Sequence, residues 1–186
     1  MLLLVGLGNP GSNYTNTRHN IGFKIIDAVN AHFKLSKQKP KFKGLLTTGN
    51  IESKKIYAIK PLTFMNNSGT AIKELIDYFK IDAKDVFVFH DDLDIDFGKI
   101  KVKFGGSSAG HNGIESIDKF IGKDYSRVRI GIGRPKTKAD VSDHVLKDFD
   151  EDEMLQLEKI TSNIINSISI LIDKKLDLFS STVNNK

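Results

Sequence analysis

The sequence predicts an α/β fold, in which a twisted mixed β-sheet is flanked by α-helices. Short segments with the apolar or alternating pattern of strands take turns with longer segments whose apolar residues recur at helical spacing. No repeat, linker or low-complexity stretch interrupts this order. We therefore expect a single domain over residues 1–186, which is long enough to bury a substantial core.

Six strands are predicted: the apolar run 1–6, a hairpin of 45–51 and 54–60, and the segments 86–91, 99–104 and 127–133. The last two alternate basic with apolar residues, so each has one cationic face. Such faces indicate an anion site, or else the solvated outer side of an antiparallel pair. The basic residues concerned are Lys99, Lys101, Lys103, Arg127 and Arg129.

Helical periodicity predicts helices over residues 20–33, 68–80, 111–121 and 151–173. Asp150 is placed to cap the last of them, and the three acidic residues that follow suit the positive end of its dipole. We expect the tail "SSTVNNK" to fray. The lysine-rich segment from Lys34 to Lys43 is predicted as a loop, either solvated and mobile or directed toward a polyanion.

Composition restricts the class of protein. The chain has no cysteine, so neither a disulfide nor a thiolate metal site is available. No segment reaches the apolar length of a membrane span, and the run "MLLLV" is too short for a signal peptide, so we expect a cytoplasmic protein without a membrane partner. The net charge of +5 is compatible with a polyanionic partner. No exposed apolar stripe favours a dimer, so we expect a monomer.

The stretch "GLGNPG" at residues 6–11 matches the dinucleotide-binding pattern G-x-G-x-x-G. That fold needs a helix to begin at the glycines, so that its N-terminus faces the pyrophosphate. Here Pro10 and Gly11 disfavour a helix, and helical periodicity begins only at Ile21. We interpret the glycines as a sharp turn that presents polar side chains, and we expect no cofactor.

Four polar clusters lie next to predicted strand ends or helix starts: "GNPGSNYTNTRHN", "KPLTFMNNSG", "FHDDLD" and "GGSSAGHNG". In open α/β sheets such segments meet beyond the carboxyl ends of the strands. His19 is a candidate general base, because an imidazole accepts a proton at neutral pH, or else it caps the next helix. Asp91 ends a buried strand, where it either orients an imidazole or caps the following turn.

Neutral amides form a second group of candidates. Asn9, Asn66 and Asn112 are able to bind a peptide or ester carbonyl, although asparagine is also common in turns and helix caps. Tyr14 and Phe64 are either packing residues or part of a cleft wall.

Two other functions are compatible with these clusters. One is a metal-dependent phosphoesterase, although no H-x-x-x-H spacing places two histidines on one helix face. The other is a non-catalytic RNA-binding module in which the polar residues are only caps. The metal ligands would come from His19, His90, Asp91, Asp92, Asp94 and His111.

Six segments together resemble the bacterial peptidyl-tRNA hydrolase family. They are "GLGNPG", "TRHNIG", "KPLTFMNNSG", "HDDLD", "GHNG" and "RIGIGRP", which occur in the family's order and at compatible spacing. The resemblance extends from residue 2 to about residue 149. It implies an esterase that cuts the bond between a peptide's C-terminal carboxyl and the ribose of tRNA, with peptidyl-tRNA as its partner and with no metal or cofactor.

The resemblance also implies roles for individual residues. His19 is similar in position to the family's catalytic base, and Asp91 to the acid that supports it. Asn9 resembles the residue that helps to distinguish a blocked from a free amino group. Asp92 stands where relatives commonly have glutamate, a difference that is harmless if Asp92 points to solvent. The other matches are Asn66 and Asn112 for the peptide main chain and reacting centre, Tyr14 and Phe64 for substrate contact, and Lys103 and Arg129 for the tRNA 5′ phosphate.

Overall fold

The computed structural model describes residues 1–185 and contains one mixed sheet with helices on both faces, so the predicted fold class is confirmed. All six predicted strands and all four predicted helices occur, with boundaries within two residues of the predicted ones. The strands are β1 (Leu2–Gly6), β2 (Lys39–Lys41), β3 (Gly44–Ile51), β4 (Lys54–Pro61), β5 (Val86–Asp92), β6 (Ile100–Phe104) and β7 (Ser126–Gly131). The helices are α1 (Ile21–His32), α2 (Ser68–Phe79), α3 (Asn112–Ile121), α4 (Val141–Leu146), α5 (Glu151–Ile172) and α6 (Leu176–Asn184).

Four neighbouring strands in the middle of the sheet are parallel. The strand order is β2-β3-β4-β1-β5-β7-β6, and the β4–β1, β1–β5 and β5–β7 pairs are parallel, whereas the pairs toward both edges are antiparallel. The carboxyl ends of four strands therefore lie along one edge, where ligand sites of such sheets form.

The central strand β1 is buried on both faces because its side chains alternate between two apolar cores. Leu2 and Leu4 pack with residues of α1, α5 and α6, whereas Leu3 and Val5 pack with residues of α2 and α3. Burial of an aliphatic side chain of this size contributes about 1.5–3 kcal/mol. A buried central strand of this type reads as a continuous apolar run, which is the pattern "LLLV".

Two glycines allow the start of α1 to lie directly against the end of β1. A Cβ atom at Gly6 would be 2.2 Å from the carbonyl oxygen of Gly22, and one at Gly22 would be 2.3 Å from the amide nitrogen of Leu7. The two backbones are therefore in contact, and no larger side chain fits at either position. This contact fixes where the segment that precedes α1 lies relative to the sheet.

The predicted fraying of the tail is wrong over the part that the structure describes, and Lys186 lies outside the described residues. Residues Leu176–Asn184 form α6, in which Phe179 and Val183 are buried. Asn184 pairs with the free edge of β6: its Oδ1 accepts from the amide of Ile100 at 2.9 Å, and its Nδ2 donates to the Ile100 carbonyl at 2.7 Å. The tail thus occupies a strand edge that would otherwise be unpaired.

Other differences are local. Part of the predicted 34–43 loop forms the short edge strand β2, and the six-residue helix α4 was not predicted. Asp150 caps α5 as predicted, in a reciprocal capping box with Glu153. In the part of the chain that the structure describes, no helix combines the length and apolarity that a membrane crossing requires.

We predict that Asn184→Ala lowers the free energy of unfolding by about 1–3 kcal/mol, because both backbone groups of Ile100 lose their partner. Urea denaturation followed by circular dichroism measures this change. The matched control is Asn185→Ala at the exposed neighbouring position, which should stay within about 0.5 kcal/mol of the parent. Equal stability of the two variants would contradict the role given to α6.

Candidate active site

A cavity of about 370 Å³ lies at the carboxyl edge of the parallel strands. Its wall combines the segment after β1, the segment after β4, the end of β5, the loop before α3 and helix α4. Nine of the residues singled out from the sequence line it: Asn9, His19, Phe64, Asn66, Asp91, Asp92, Asp94, His111 and Asn112. The chain therefore brings together side chains that lie up to about a hundred residues apart.

A buried carboxylate, Asp91, lies between two imidazoles. Its Oδ1 is 2.9 Å from His19 Nδ1 and 2.9 Å from His111 Nε2, and Asp91 is only 2% exposed. Burial alone would raise the pKa of Asp91, but the two imidazoles outweigh it and hold that pKa below its usual range. Asp91 is thus an anion in the cavity wall.

The same contact changes the proton affinity of His19. Burial lowers the pKa of an imidazole, but the charge of Asp91 and the hydrogen bond to it raise the pKa of His19 above its usual value. With Nδ1–H donated to Asp91, the other ring nitrogen, Nε2, carries the lone pair. Nε2 of His19 has no hydrogen-bond partner within residues 1–185.

The second imidazole, His111, was considered only as a metal ligand from the sequence, and the structure shows that it has two other contacts. Its Nδ1 accepts from the backbone amides of Gly113 and Ile114, at 3.1 and 3.3 Å, so His111 is the N-cap of α3. A nitrogen that accepts carries no proton, so the ring proton is on Nε2 and is donated to Asp91. The helix start thereby fixes the tautomer. Histidine capping has no sequence signature of the kind that serine or aspartate has.

A third imidazole, His90, packs edge-on against His111, with the ring centroids 4.9 Å apart. Burial is the main cause that lowers the pKa of His90 to about 3, helped by the neighbouring His111. The ring is therefore neutral, and its Nδ1 lies 2.8 Å from the Asp91 carbonyl oxygen, to which it donates. His90 thus supports the cluster without adding charge to it.

Asn9 is held on both sides by partners that the sequence analysis did not identify. Its backbone exchanges two hydrogen bonds of 2.9 Å with the Asn20 side chain, and its Oδ1 accepts from the Met65 amide at 2.8 Å. Because Oδ1 faces a backbone donor, the orientation of the Asn9 amide is fixed and Nδ2 is the group left for a ligand.

Asn66 and Asn112 are exposed where two helices begin. Asn66 lies in the short turn that leads into α2, and Asn112 is the first residue of α3. Neither side chain forms a cap: His111 caps α3, and no side chain caps α2. Two helix N-termini, with their positive partial charge, thus meet at the cavity.

The two aromatic candidates differ in position. Phe64 is 59% exposed at the rim of the cavity. Tyr14 is half-buried in the Ser12–Tyr14 turn and does not belong to the cavity wall. Phe64 therefore lies in the same cavity as the other candidates, and Tyr14 does not.

The cationic strand faces are only partly as predicted. The strands form an antiparallel pair, with Lys101 opposite Arg129 and Lys103 opposite Arg127. Arg127 is 2% exposed and binds the Ser107 carbonyl and Asp118 at 2.7 Å each, so its charge does not face solvent. Lys99, which precedes β6, and Lys101 and Lys103 within β6 are all exposed.

Asp92 does not point to solvent, so the condition under which its replacement of glutamate is harmless is not met. Asp92 is 8% exposed, and its Oδ2 lies 2.8 Å from Arg129 Nε. The basic strand β7 attracts the carboxylate inward. Arg129 therefore lies beside the cavity with part of its charge already balanced.

Arg18, next to His19, connects the histidine to the opposite wall of the cavity. Its guanidinium donates to both carboxylate oxygens of Glu153, at 2.8 and 3.0 Å. It also donates, at 3.2–3.4 Å, to the backbone carbonyls of His144, Lys147 and Asp148, which lie at and after the end of α4. Since α4 lines the cavity, the histidine segment and this wall are held together.

A metal cation at this site would compete for carboxylate and imidazole atoms that already form hydrogen bonds or ion pairs within the protein. Among the described residues, His19, Asp91 and His111 are the one group whose ligand atoms lie close enough, within 4.8 Å of one another. Both imidazoles already hydrogen-bond to Asp91, while Arg129 holds Asp92 and Arg134 holds Asp94. The contacts thus favour a hydrogen-bonded cluster over a metal site.

The fold and the cavity define an α/β enzyme with a histidine–aspartate pair at the carboxyl edge of its sheet. The family model for peptidyl-tRNA hydrolase matches residues 3–186. The peptidyl-tRNA hydrolase of Pelagibacter ubique is 83% identical over the full length of both chains, and that of Ehrlichia canis is 47% identical over 98% of this chain and 94% of its own. A crystal structure of the Acinetobacter baumannii enzyme superposes with a TM-score of 0.93 at 34% identity, covering 99% of this chain and 94% of that one.

The chain belongs to the peptidyl-tRNA hydrolase family, and it is a hydrolase. The resemblance found in the sequence is thereby confirmed, and the match to the family model includes the C-terminal helices beyond residue 149.

We predict that Asp91→Asn moves the pKa of His19 from above 6.5 to below it, because the carboxylate that raises it is lost and burial, which lowers it, stays. Titration of the imidazole carbon signals by NMR measures the change. An unchanged His19 titration would show that Asp91 does not set its proton affinity.

Proposed function

We propose that this chain hydrolyses the ester between the C-terminal carboxyl of a peptide and the ribose of tRNA, and so releases free tRNA. The contact between His19 and Asp91 inside a cavity lined by neutral amides carries this proposal. Membership of the peptidyl-tRNA hydrolase family supports the choice of substrate.

His19 acts as the general base. Its Nε2 takes a proton from a water molecule, and the resulting hydroxide-like oxygen attacks the ester carbonyl. Asp91 keeps the Nδ1–H tautomer in place and stabilises the imidazolium that forms. His111 donates a second hydrogen bond to Asp91 and so keeps the carboxylate oriented toward His19.

The negative charge of the tetrahedral intermediate develops beside Asn66 and Asn112. Their amide groups donate hydrogen bonds without a charge of their own, and the adjoining helix N-termini add positive potential. One such donor is typically worth about 3 kcal/mol in the transition state. The ribose hydroxyl then leaves with the proton that His19 holds.

Asn9 distinguishes a peptidyl group from a free amino acid. Its Nδ2 is a donor, and an N-acyl group presents a carbonyl oxygen that accepts from it. A free α-amino group is cationic at neutral pH and presents only donors. The fixed orientation of the Asn9 amide therefore favours the blocked substrate, while Phe64 at the rim and Tyr14 beyond it contact the rest of the substrate.

Lys103 and Arg129 bind the 5′ phosphate of the tRNA. Contacts of this kind carry no sequence information, which suits a substrate class of many tRNAs. Arg129 is held in place by Asp92, so its guanidinium is oriented before the phosphate arrives. The chemistry needs neither a metal nor a cofactor, because His19 and Asp91 activate the water. Action as a monomer in the cytoplasm stays a prediction of the sequence.

The first test is release of free tRNA from N-acetyl-aminoacyl-tRNA in EDTA, with the unblocked aminoacyl-tRNA alongside. We expect cleavage of the blocked substrate alone. Activity that EDTA abolishes and magnesium restores would favour the phosphoesterase, and RNA binding without any turnover would favour the binding module.

We predict that His19→Ala lowers kcat by about 10²–10⁴-fold, since a general base contributes about that much. Asp91→Asn should lower kcat strongly with little change in tRNA affinity, because it acts on the tautomer and on the imidazolium. Single-turnover kinetics measures the rate of the chemical step in both variants, and filter binding measures their affinity for tRNA. Near-normal turnover by either variant would remove the pair from the mechanism.

We predict that Lys103→Ala combined with Arg129→Gln raises KM and flattens the dependence of log KM on log salt, since phosphate contacts are lost. Glutamine keeps a donor for Asp92. The control is Lys55→Ala combined with Lys84→Ala, which removes two exposed charges at the amino-terminal edge of the sheet. If both double variants have the parent's salt slope, Lys103 and Arg129 are not the phosphate site.

A further inference from the structure

A second groove lies on the other side of the loop that contains Asn9. It runs between α1 and α5 past the ends of β3 and β4, with a volume of about 790 Å³, and it is open to solvent. Asn9 lines both this groove and the cavity that holds His19. The proposed function as described so far uses only the cavity.

The walls of the groove are largely apolar and contain one ion pair, whose lysine is buried and whose aspartate is exposed. Lys60 Nζ lies 2.5 Å from Asp27 Oδ1 and 5.6 Å from the centroid of the Phe23 ring, and Lys60 is only 8% exposed. An ammonium group has three donors, of which Asp27 takes one. The apolar part of the wall comes from Phe23, Leu45, Leu62, Met154, Leu157 and Ile165.

The charges of the groove do not suit a nucleic acid. Lys24 and Lys60 are matched there by Asp27 and Glu158, so the groove has no excess of positive charge with which to neutralise phosphates. An apolar wall with a few polar groups fits a peptide of variable sequence better, and the flexible Met154 is able to adapt to different side chains.

In the proposed binding mode, the upstream part of the peptide points toward this groove. In the proposed mechanism the scissile carbonyl lies at His19, and the acylated amino group of the last amino acid lies at Asn9. The upstream part of the peptide therefore extends past Asn9, which also lines the groove.

We propose that the groove between α1 and α5 binds the upstream residues of the peptidyl group, as an extension of the active site. This proposal rests on the proposed function, since it places the C-terminal amino acid in the cavity. It makes peptide length a determinant of affinity: substrates with one amino acid fill only the cavity, and longer ones also fill the groove.

The kinetic test compares N-acetylated substrates that have one or six amino acids on the same tRNA. For the parent protein we expect KM to be about tenfold lower with six, equivalent to about 1.4 kcal/mol of binding free energy. Ser162, exposed on α5 in the groove wall, is replaced by tryptophan to fill the groove. Ser162→Trp should abolish the difference between the substrates, whereas Ser181→Trp, at an exposed serine on α6, should keep it.

Two failures are distinguishable. If the parent does not cleave the one-residue substrate in EDTA, the proposed function fails, and the groove assignment fails with it. If the parent cleaves that substrate, but peptide length has no effect or has the same effect in Ser162→Trp as in Ser181→Trp, the groove assignment alone is wrong. Thermal melts of the two variants confirm that both are folded.

A covalent test locates the peptide directly. The chain has no cysteine, so Ser162→Cys introduces a single thiol. In a His19→Ala background, six-residue peptidyl-tRNA with an N-terminal bromoacetyl group should alkylate that thiol, with bromide as the leaving group. Ser181→Cys in the same background is the control, and equal labelling of the two proteins would overturn the proposal.

Discussion

The placement of one buried carboxylate, Asp91 between His19 and His111, is the constraint on which the rest of the site depends. An unpaired anion at 2% exposure would be costly, and the two imidazoles that accompany Asp91 offset that cost through the hydrogen bonds to its carboxylate. Each imidazole comes from a different segment: one precedes α1 and the other caps α3. Both segments must therefore be held against the end of β5 before the cluster is complete.

The fold meets this requirement through contacts that lie outside the cavity. The backbone contact between Gly6 and Gly22 fixes the start of α1 against β1, and Arg18 binds the same segment to α4 and α5. On the other side, Arg127 reaches the Ser107 carbonyl and so restrains the glycine-rich loop that carries His111. Buried arginines are suited to this, because one guanidinium satisfies several acceptors in a fixed geometry. The positions of the two histidines thus depend on residues that never touch the cavity.

The periodicities in the sequence predicted the strands, the hairpin and the main helices, because these elements depend on the local spacing of apolar residues. The same spacing places those residues in the two apolar cores. The contacts that only the three-dimensional structure defines were missed. The tail is polar enough to look frayed, yet Asn184 bonds the edge of β6, which is 84 residues away in the chain. Arg127 was placed on a cationic face that was either an anion site or solvated, and Asp92 was harmless only if it pointed to solvent. Both are buried, each beside a partner of opposite charge on another element. For the site, His19 and Asp91 were found from the sequence, whereas the contact of His111 with Asp91 was not.

The turn "GLGNPG" lies between the cavity that holds His19 and the groove between α1 and α5, and its residue Asn9 is held rigidly. Asn9 is bonded through its backbone to Asn20 and through its side chain to Met65, both of which are buried. Two hydrogen bonds therefore hold its backbone and a third holds its side-chain amide. A donor held in this way loses little entropy when a ligand binds, and it discriminates by orientation as well as by chemistry. Asn9 lines both the cavity and the groove. In the binding mode that we propose, a peptide that occupies both presents its acylated nitrogen to Asn9, so that recognition of the blocked amino group and of the upstream chain is coupled.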